Sequence, residues 1–105
     1  MTGKFRGSLA LLALHVLSGG ESHGYAIAQR IKGTSAGVLD FKEGTLYPAL
    51  HDMEGRGLVR SVRKEVGGRP RRVYSLTPAG RLALASEKEA WATYVTAVQA
   101  VLVAA

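Results

Sequence analysis

The stretch Glu43–Leu58, EGTLYPALHDMEGRGL, decides how the rest of the chain is read. Leu46, Leu50 and Met53 recur at spacings of four and three, so they share one side of a helix while Thr45, Tyr47 and His51 fall on its other faces. That spacing predicts a short helix, packed on one side and free on the other. Pro48 lies early enough that its missing amide costs little, and Gly57 closes the helix as its C′ residue.

Downstream, Leu58-Val59-Arg60-Ser61-Val62-Arg63-Lys64 reads as a strand, Gly67-Gly68-Arg69-Pro70 as a turn, and Arg71-Arg72-Val73-Tyr74-Ser75-Leu76 as a second strand. Together they predict a hairpin with an arginine-rich tip, its base held to the helices by Val73 and Leu76 with Leu58 and Val62 opposite. A helix followed at once by a basic hairpin is the pattern of a winged helix-turn-helix, a mainly α fold with a small β-hairpin. In that fold the helix enters the major groove of DNA and the hairpin lies against the backbone beside it.

The charge distribution agrees. The chain has 14 Lys and Arg against 8 Asp and Glu. Arg60, Arg63, Lys64, Arg69, Arg71 and Arg72 crowd the hairpin against Glu65 alone, a field that attracts a polyanion. A basic run by itself also suits RNA, an anionic lipid surface or a protein partner. The adjoining helix, with its sparse outer face, points to duplex DNA. Thr45 and Tyr47 offer hydrogen-bond donors there, and Lys42 sits just before them.

Upstream, residues 1–7 have no period and read as a loose arm. From Ser8, an N-cap candidate, to Ser18-Gly19-Gly20 the chain is apolar nearly all round. Such a helix needs cover on more than one side, so part of it, Leu12 included, is expected to meet a second subunit. A second helix follows from Ile27 and Ile31, with Gly33 as its stop. Tyr25 stands at its start, where the hydroxyl either reaches a phosphate beside the helix amides or packs on the first helix. Val38, Leu39 and Phe41 should anchor the connector that leads to Glu43.

Thr77-Pro78 starts the last helix, by N-cap and N1 proline. Leu84, Trp91, Val95, Val98 and Leu102 step along it at seven, four, three and four. A helix of about 26 residues is about 39 Å long, too long for a core built from the preceding residues. A second copy should cover the excess through a coiled-coil-like seam. The chain thus divides into a reading head over residues 1–76 and a dimerisation helix over residues 77–105, joined in one compact unit. Two-fold pairing predicts a pseudo-palindromic site with half-sites about one DNA turn, or a multiple of it, apart.

Enzyme chemistry finds little purchase. There is no cysteine, which removes disulfides, thiolate ligands and cysteine nucleophiles. His15, His23 and His51 are scattered, and no zinc-binding histidine pair, nucleophile elbow or phosphate loop is present. His51, Asp52 and Glu54 could suggest a metal, but they diverge around their helix and cannot converge on one without help from elsewhere. No cofactor is expected. The absence of a long apolar run or of a hydrophobic leader suggests a soluble, cytoplasmic protein.

Gly24-Tyr25, EGTLYPAL at 43–50, the Glu54-Gly55-Arg56-Gly57-Leu58 close, GGRPRRVYSLTPAG at 67–80 and the long final helix together resemble a PadR-type transcriptional regulator, over nearly the whole chain. The single C-terminal helix is similar to the smaller subgroup of that family. The resemblance implies a homodimeric winged-helix protein, usually a repressor, that releases DNA when a small molecule or a stress signal arrives. It implies that Tyr25, Thr45 and Tyr47 contact the phosphate backbone, that Lys42, Gly44 and Pro48 line the recognition surface, and that Arg69 and Arg71 act from the wing. Trp91 matches a tryptophan that in some members stacks flat aromatic ligands between the subunits. By spacing alone it is a seam residue.

Overall fold

Helix α1 (Leu9–Ser18) leads through a two-residue strand β1 (Ser22–His23) to helices α2 (Gly24–Thr34) and α3 (Glu43–Gly55). The hairpin strands β2 (Val59–Val66) and β3 (Arg69–Leu76) follow, and then the long helix α4 (Pro78–Val103). The computed structural model describes residues 7–104; of the arm expected over residues 1–7, only Gly7 falls among them. The expected architecture is what the chain adopts, with β1 as an addition.

The core is built around α1. Leu9, Ala13, Leu14 and Leu17 are buried, and α2, α3, β3 and α4 all pack on this helix. The chain therefore covers by itself much of the apolar surface that was expected to need a second subunit. Leu12, expected at a subunit interface, is half-buried against the protomer's own core. From α2 come Ile27 and Ile31, from the connector Phe41, and from α3 Leu46, Leu50 and Met53. Burying each such side chain contributes about 1.5–3 kcal/mol. Three of them in line hold α3 to the core and commit its opposite face to the outside.

Two local readings need correction. Val38 is 63% exposed and does not anchor the connector, which Phe41 and Leu39 hold instead. Helix α2 runs past Gly33 to Thr34. Its left-handed residue is Ala36, with φ 53°, and the Gly37 and Ala36 amides donate back to the Lys32 and Gly33 carbonyls. Those bonds, rather than Gly33, close the helix. Pro48 is the sixth residue of α3, just past its first turn, so the Gly44 carbonyl loses the amide that would normally pair with it.

The sheet is antiparallel in the order β1-β3-β2. Val59 pairs with Leu76 and Ser61 with Tyr74, so these four side chains share one face. That face meets the helices, with Val59 and Tyr74 buried in the core. Val62 lies on the other face and is 49% exposed. The hairpin is thus held at its base by Val59, Leu76 and Tyr74, and not by Val62.

The junction between α3, the hairpin and α4 is tightly tied. The Leu58 amide donates to the Met53 carbonyl and the Gly57 amide to that of Glu54, at 2.9 and 3.0 Å, with Gly57 at φ 77°. This is the closing motif predicted from Gly57. The Thr77 hydroxyl accepts from the Gly80 amide at 3.0 Å and directs its proton at the Gly57 and Leu58 carbonyls, 2.6 and 3.0 Å away. Thr77 therefore caps α4 and pins its start to the end of α3.

Helix α4 has 26 residues. Only its first two turns sit on the core, through Gly80, Ala83 and Leu84. Leu84, expected at a subunit seam, is spent instead within the protomer at 7% exposure. Beyond it the helix is exposed except at Val95. The radius of gyration is 15.0 Å, above the about 13 Å of a compact chain this long.

Candidate nucleic-acid interface

The start of α2 is where the predicted residues meet. His23 caps this helix: its Nδ1 accepts from the Ala26 amide at 3.2 Å. The same residue is anchored in β1, paired with Val73 of β3, so the cap ties α2 to the sheet. Because Nδ1 must be unprotonated to accept, the imidazole is neutral. Burial first, and then the Arg71 charge, hold its pKa below the usual histidine value.

Gly24 comes next and has Tyr47 of α3 lying against it. A Cβ there would stand 2.6 Å from Tyr47 Cε1 and 2.9 Å from its hydroxyl oxygen. Only glycine admits the ring so close. One residue on, Tyr25 is 51% exposed and has the Arg71 guanidinium 5.9 Å from its ring centroid, within cation–π range. Tyr25, Tyr47 and Arg71 thus come from three elements and gather around residues 23–25. This gathering needed the structure: Arg71 was read as a wing cation, with no sign of the tyrosine beneath it.

Thr45 is half-buried, whereas Lys42, Gly44, Tyr47 and Pro48 are exposed along the outer side of α3. Lys42 occupies the N-cap position without a side-chain cap bond. Its Nζ lies 3.0 Å from Asp40, which also has Lys32 at 3.7 Å. The hydrogen bond from Lys42, aided by both charges, keeps the Asp40 carboxyl below its usual range. Asp40 therefore holds two ammonium groups beside the first turn of α3. An open cleft of about 990 Å³ lies instead between the end of α1, β1 and α2, with His15, Tyr25, Gln29 and Arg30 on its lining.

The hairpin cations divide into two groups. Lys64 pairs with Glu21 at 2.6 Å, Arg71 lies over Tyr25, and Arg72 donates to Ser61 at 3.0 Å. The side chains of Arg60, Arg63 and Arg69 have no ion-pair or hydrogen-bond partner among the described residues. Of the two wing residues singled out from the sequence, Arg69 is free and Arg71 is engaged. Arg60 and Arg63 were seen only as part of the charge run.

On α4, Trp91 is 48% exposed and lies 6.0 Å from Tyr94, ring centroid to centroid. With Leu11 and Glu87 they line a notch of about 160 Å³. Tyr94 is not among the residues singled out from the sequence. Tyr94, Val98, Val101 and Leu102 extend the exposed apolar face toward the end of the helix.

The model of the PadR-like family of transcriptional regulators matches residues 13–86 of this chain. The chain belongs to that family. Among curated proteins it is similar to the transcriptional regulator Rv3488 of Mycobacterium tuberculosis, 41% identical over 81% of this chain and 77% of that one. Among solved structures it is similar to a transcriptional regulator from Clostridium thermocellum, at TM-score 0.85 and 27% identity, over 92% of this chain and 95% of that one. A PadR family regulator from Eggerthella lenta is similar at TM-score 0.84 and 26% identity, covering 97% of this chain and 88% of its own. This PadR-like protein is thus a transcriptional regulator and not an enzyme. Glu54, once weighed as a metal ligand with His51 and Asp52, faces Ser61, and Asp52 faces Arg56. Among the described residues no helix is long and apolar enough to cross a membrane.

Proposed function

We propose that this PadR-like regulator acts in the cytoplasm as a homodimeric repressor of a pseudo-palindromic DNA operator. The observation that carries the reading is the convergence of Tyr25, Tyr47 and Arg71 at the start of α2, beside the outer face of α3. Phenolic hydroxyls and helix amides suit a phosphate. Lys42, Gly44, Thr45 and Pro48 line the surface that faces the groove, and Arg69 supplies a free cation from the wing tip. The apolar face of α4, from Trp91 through Val98 to Leu102, is covered by a second copy, which sets two reading heads on one duplex.

Release follows when a planar aromatic effector stacks on Trp91, with Tyr94 as the neighbouring ring. The test is selection of genomic fragments by the purified protein, then anisotropy on the selected duplex. Tight binding as a dimer, with Trp91 quenched as an aromatic ligand displaces the DNA, is the expected result. Retention of single strands or a protein, with no duplex held at low salt, overturns the operator reading. Unchanged Trp91 emission across a broad aromatic panel overturns the effector reading.

A further inference from the structure

We infer that Glu54, Ser61 and Arg72 form a positioning relay that sets the hairpin against the recognition helix and withdraws Arg72 from the phosphate-binding cations. The inference rests on the operator reading above. Glu54 is the penultimate residue of α3, and its Oε2 accepts from the Ser61 hydroxyl at 2.7 Å. Ser61 Oγ in turn accepts from Arg72 Nη1 at 3.0 Å. A serine hydroxyl has one proton, and here Glu54 takes it, so the oxygen turns its lone pairs to the guanidinium. The relay therefore runs from a cation through a neutral hydroxyl to a carboxylate, charge-assisted at both ends. It links α3, β2 and β3 in one line.

The register shows why Arg72 is singled out. Arg72 is paired with Arg63 across the strands, so two like charges share one face, which is unfavourable. The relay draws Arg72 toward Glu54 and leaves Arg63 exposed and without a partner among the described residues. The backbone ties at Gly57 and Thr77 hold the base of the hairpin, and β1 and the Glu21–Lys64 pair hold it on the side of α2; the Ser61–Glu54 bond is what ties β2 to α3 beyond the base. From Ser61 to Val66 the strand spans about 17 Å. A tilt of about 10° at Ser61 would then move the tip by about 3 Å, the whole length of a hydrogen bond. A relay one third of the way along the ribbon thus decides whether Arg69 meets its phosphate.

The experiment compares salt dependence of binding for the full-length protein, on the duplex it selects and on a scrambled duplex of equal length. Arg69→Ala should flatten the slope of log affinity against log salt by about one for each phosphate lost, on both duplexes. Arg72→Ala should leave the slope unchanged and lower the preference for the selected duplex by about tenfold. Ser61→Ala should lower the preference as Arg72→Ala does, but steepen the slope, because it removes the hydroxyl that holds Arg72. Glu54→Ala should steepen the slope by about one per copy, because Arg72 is released to the DNA, while Glu54→Gln keeps an acceptor for Ser61 and restores the preference.

A slope flattened by Arg72→Ala as much as by Arg69→Ala overturns the relay. If the wild type retains no duplex at all, the operator reading fails and the relay is judged on stability alone. Glu54→Ala and Arg72→Ala, combined in urea unfolding, should then lose less than the sum of the single losses. Strictly additive losses overturn the relay without reference to DNA.

Discussion

Replacing Gly24 by Ala would place a methyl carbon 2.6 Å from Tyr47 Cε1 and 2.9 Å from its hydroxyl oxygen. The ring must then retreat by about 1 Å to reach ordinary contact distance. It has room to do so: Tyr47 is 36% exposed, and a modest departure from its rotamer costs about 0.5–1.5 kcal/mol. The gain in helix propensity from Gly to Ala offsets part of that. Stability should therefore change by about 1 kcal/mol or less.

DNA binding should change far more. A hydrogen bond to a charged group contributes about 1.5–3 kcal/mol, and a two-fold complex loses it twice. The expected drop in affinity is about a hundredfold or more. Anisotropy on the selected duplex, at one fixed salt, measures it alongside urea unfolding. Tyr47→Phe should show the same loss, and the double variant should be no worse than either single one. Full affinity in a Gly24→Ala protein with an intact fold would refute the reasoning, because Tyr47 would then owe its contact neither to its present place nor to its neighbour.

Gly80→Ala drives a methyl group into the Leu58 carbonyl, which holds both the amide and the hydroxyl of Thr77. The two bonds and the overpacking together should cost about 2–4 kcal/mol in urea unfolding at fixed protein concentration, and an unmoved midpoint would contradict the tie. Val98→Glu puts a carboxylate on the exposed apolar face of α4, and sedimentation should show the mass halved if that face is the seam. His23 has a lowered pKa in the fold, so the unfolded chain binds the extra proton first. The stability it confers is complete above its ordinary value of 6.5 and falls as pH drops through the lowered one. His23→Asn keeps a capping acceptor without the titration and should flatten the thermal midpoint between about pH 7 and 5; an equally steep profile would exclude His23 as its source.

Much of this was legible in order. Leu46, Leu50 and Met53 marked the buried side of α3, the cluster from Gly67 to Pro70 marked the turn, and Thr77-Pro78 marked the start of a helix that has the expected length of 26 residues. Strand β1 was not legible, because two residues carry no period. The misplacement of Val62 has a related cause: alternation shows that faces differ but does not say which one meets the helices. Leu84 was counted with the seam because its spacing matches the other apolar residues of α4. How far the core reaches along a helix is a tertiary fact.

From the amino-acid sequence alone came every element but β1, their order and their total charge. Helical and strand periods, prolines and left-handed glycines act within a turn or two of backbone, and a linear reading captures them. Tertiary structure alone decided which charges stay free to meet a polyanion. Lys64 finds Glu21 across 43 residues and Arg72 finds Ser61 across 11, while Arg69 finds neither. Ion pairs and hydrogen bonds fall off within a few ångströms, so partnership depends on where separate elements meet, and distance along the chain does not reveal it.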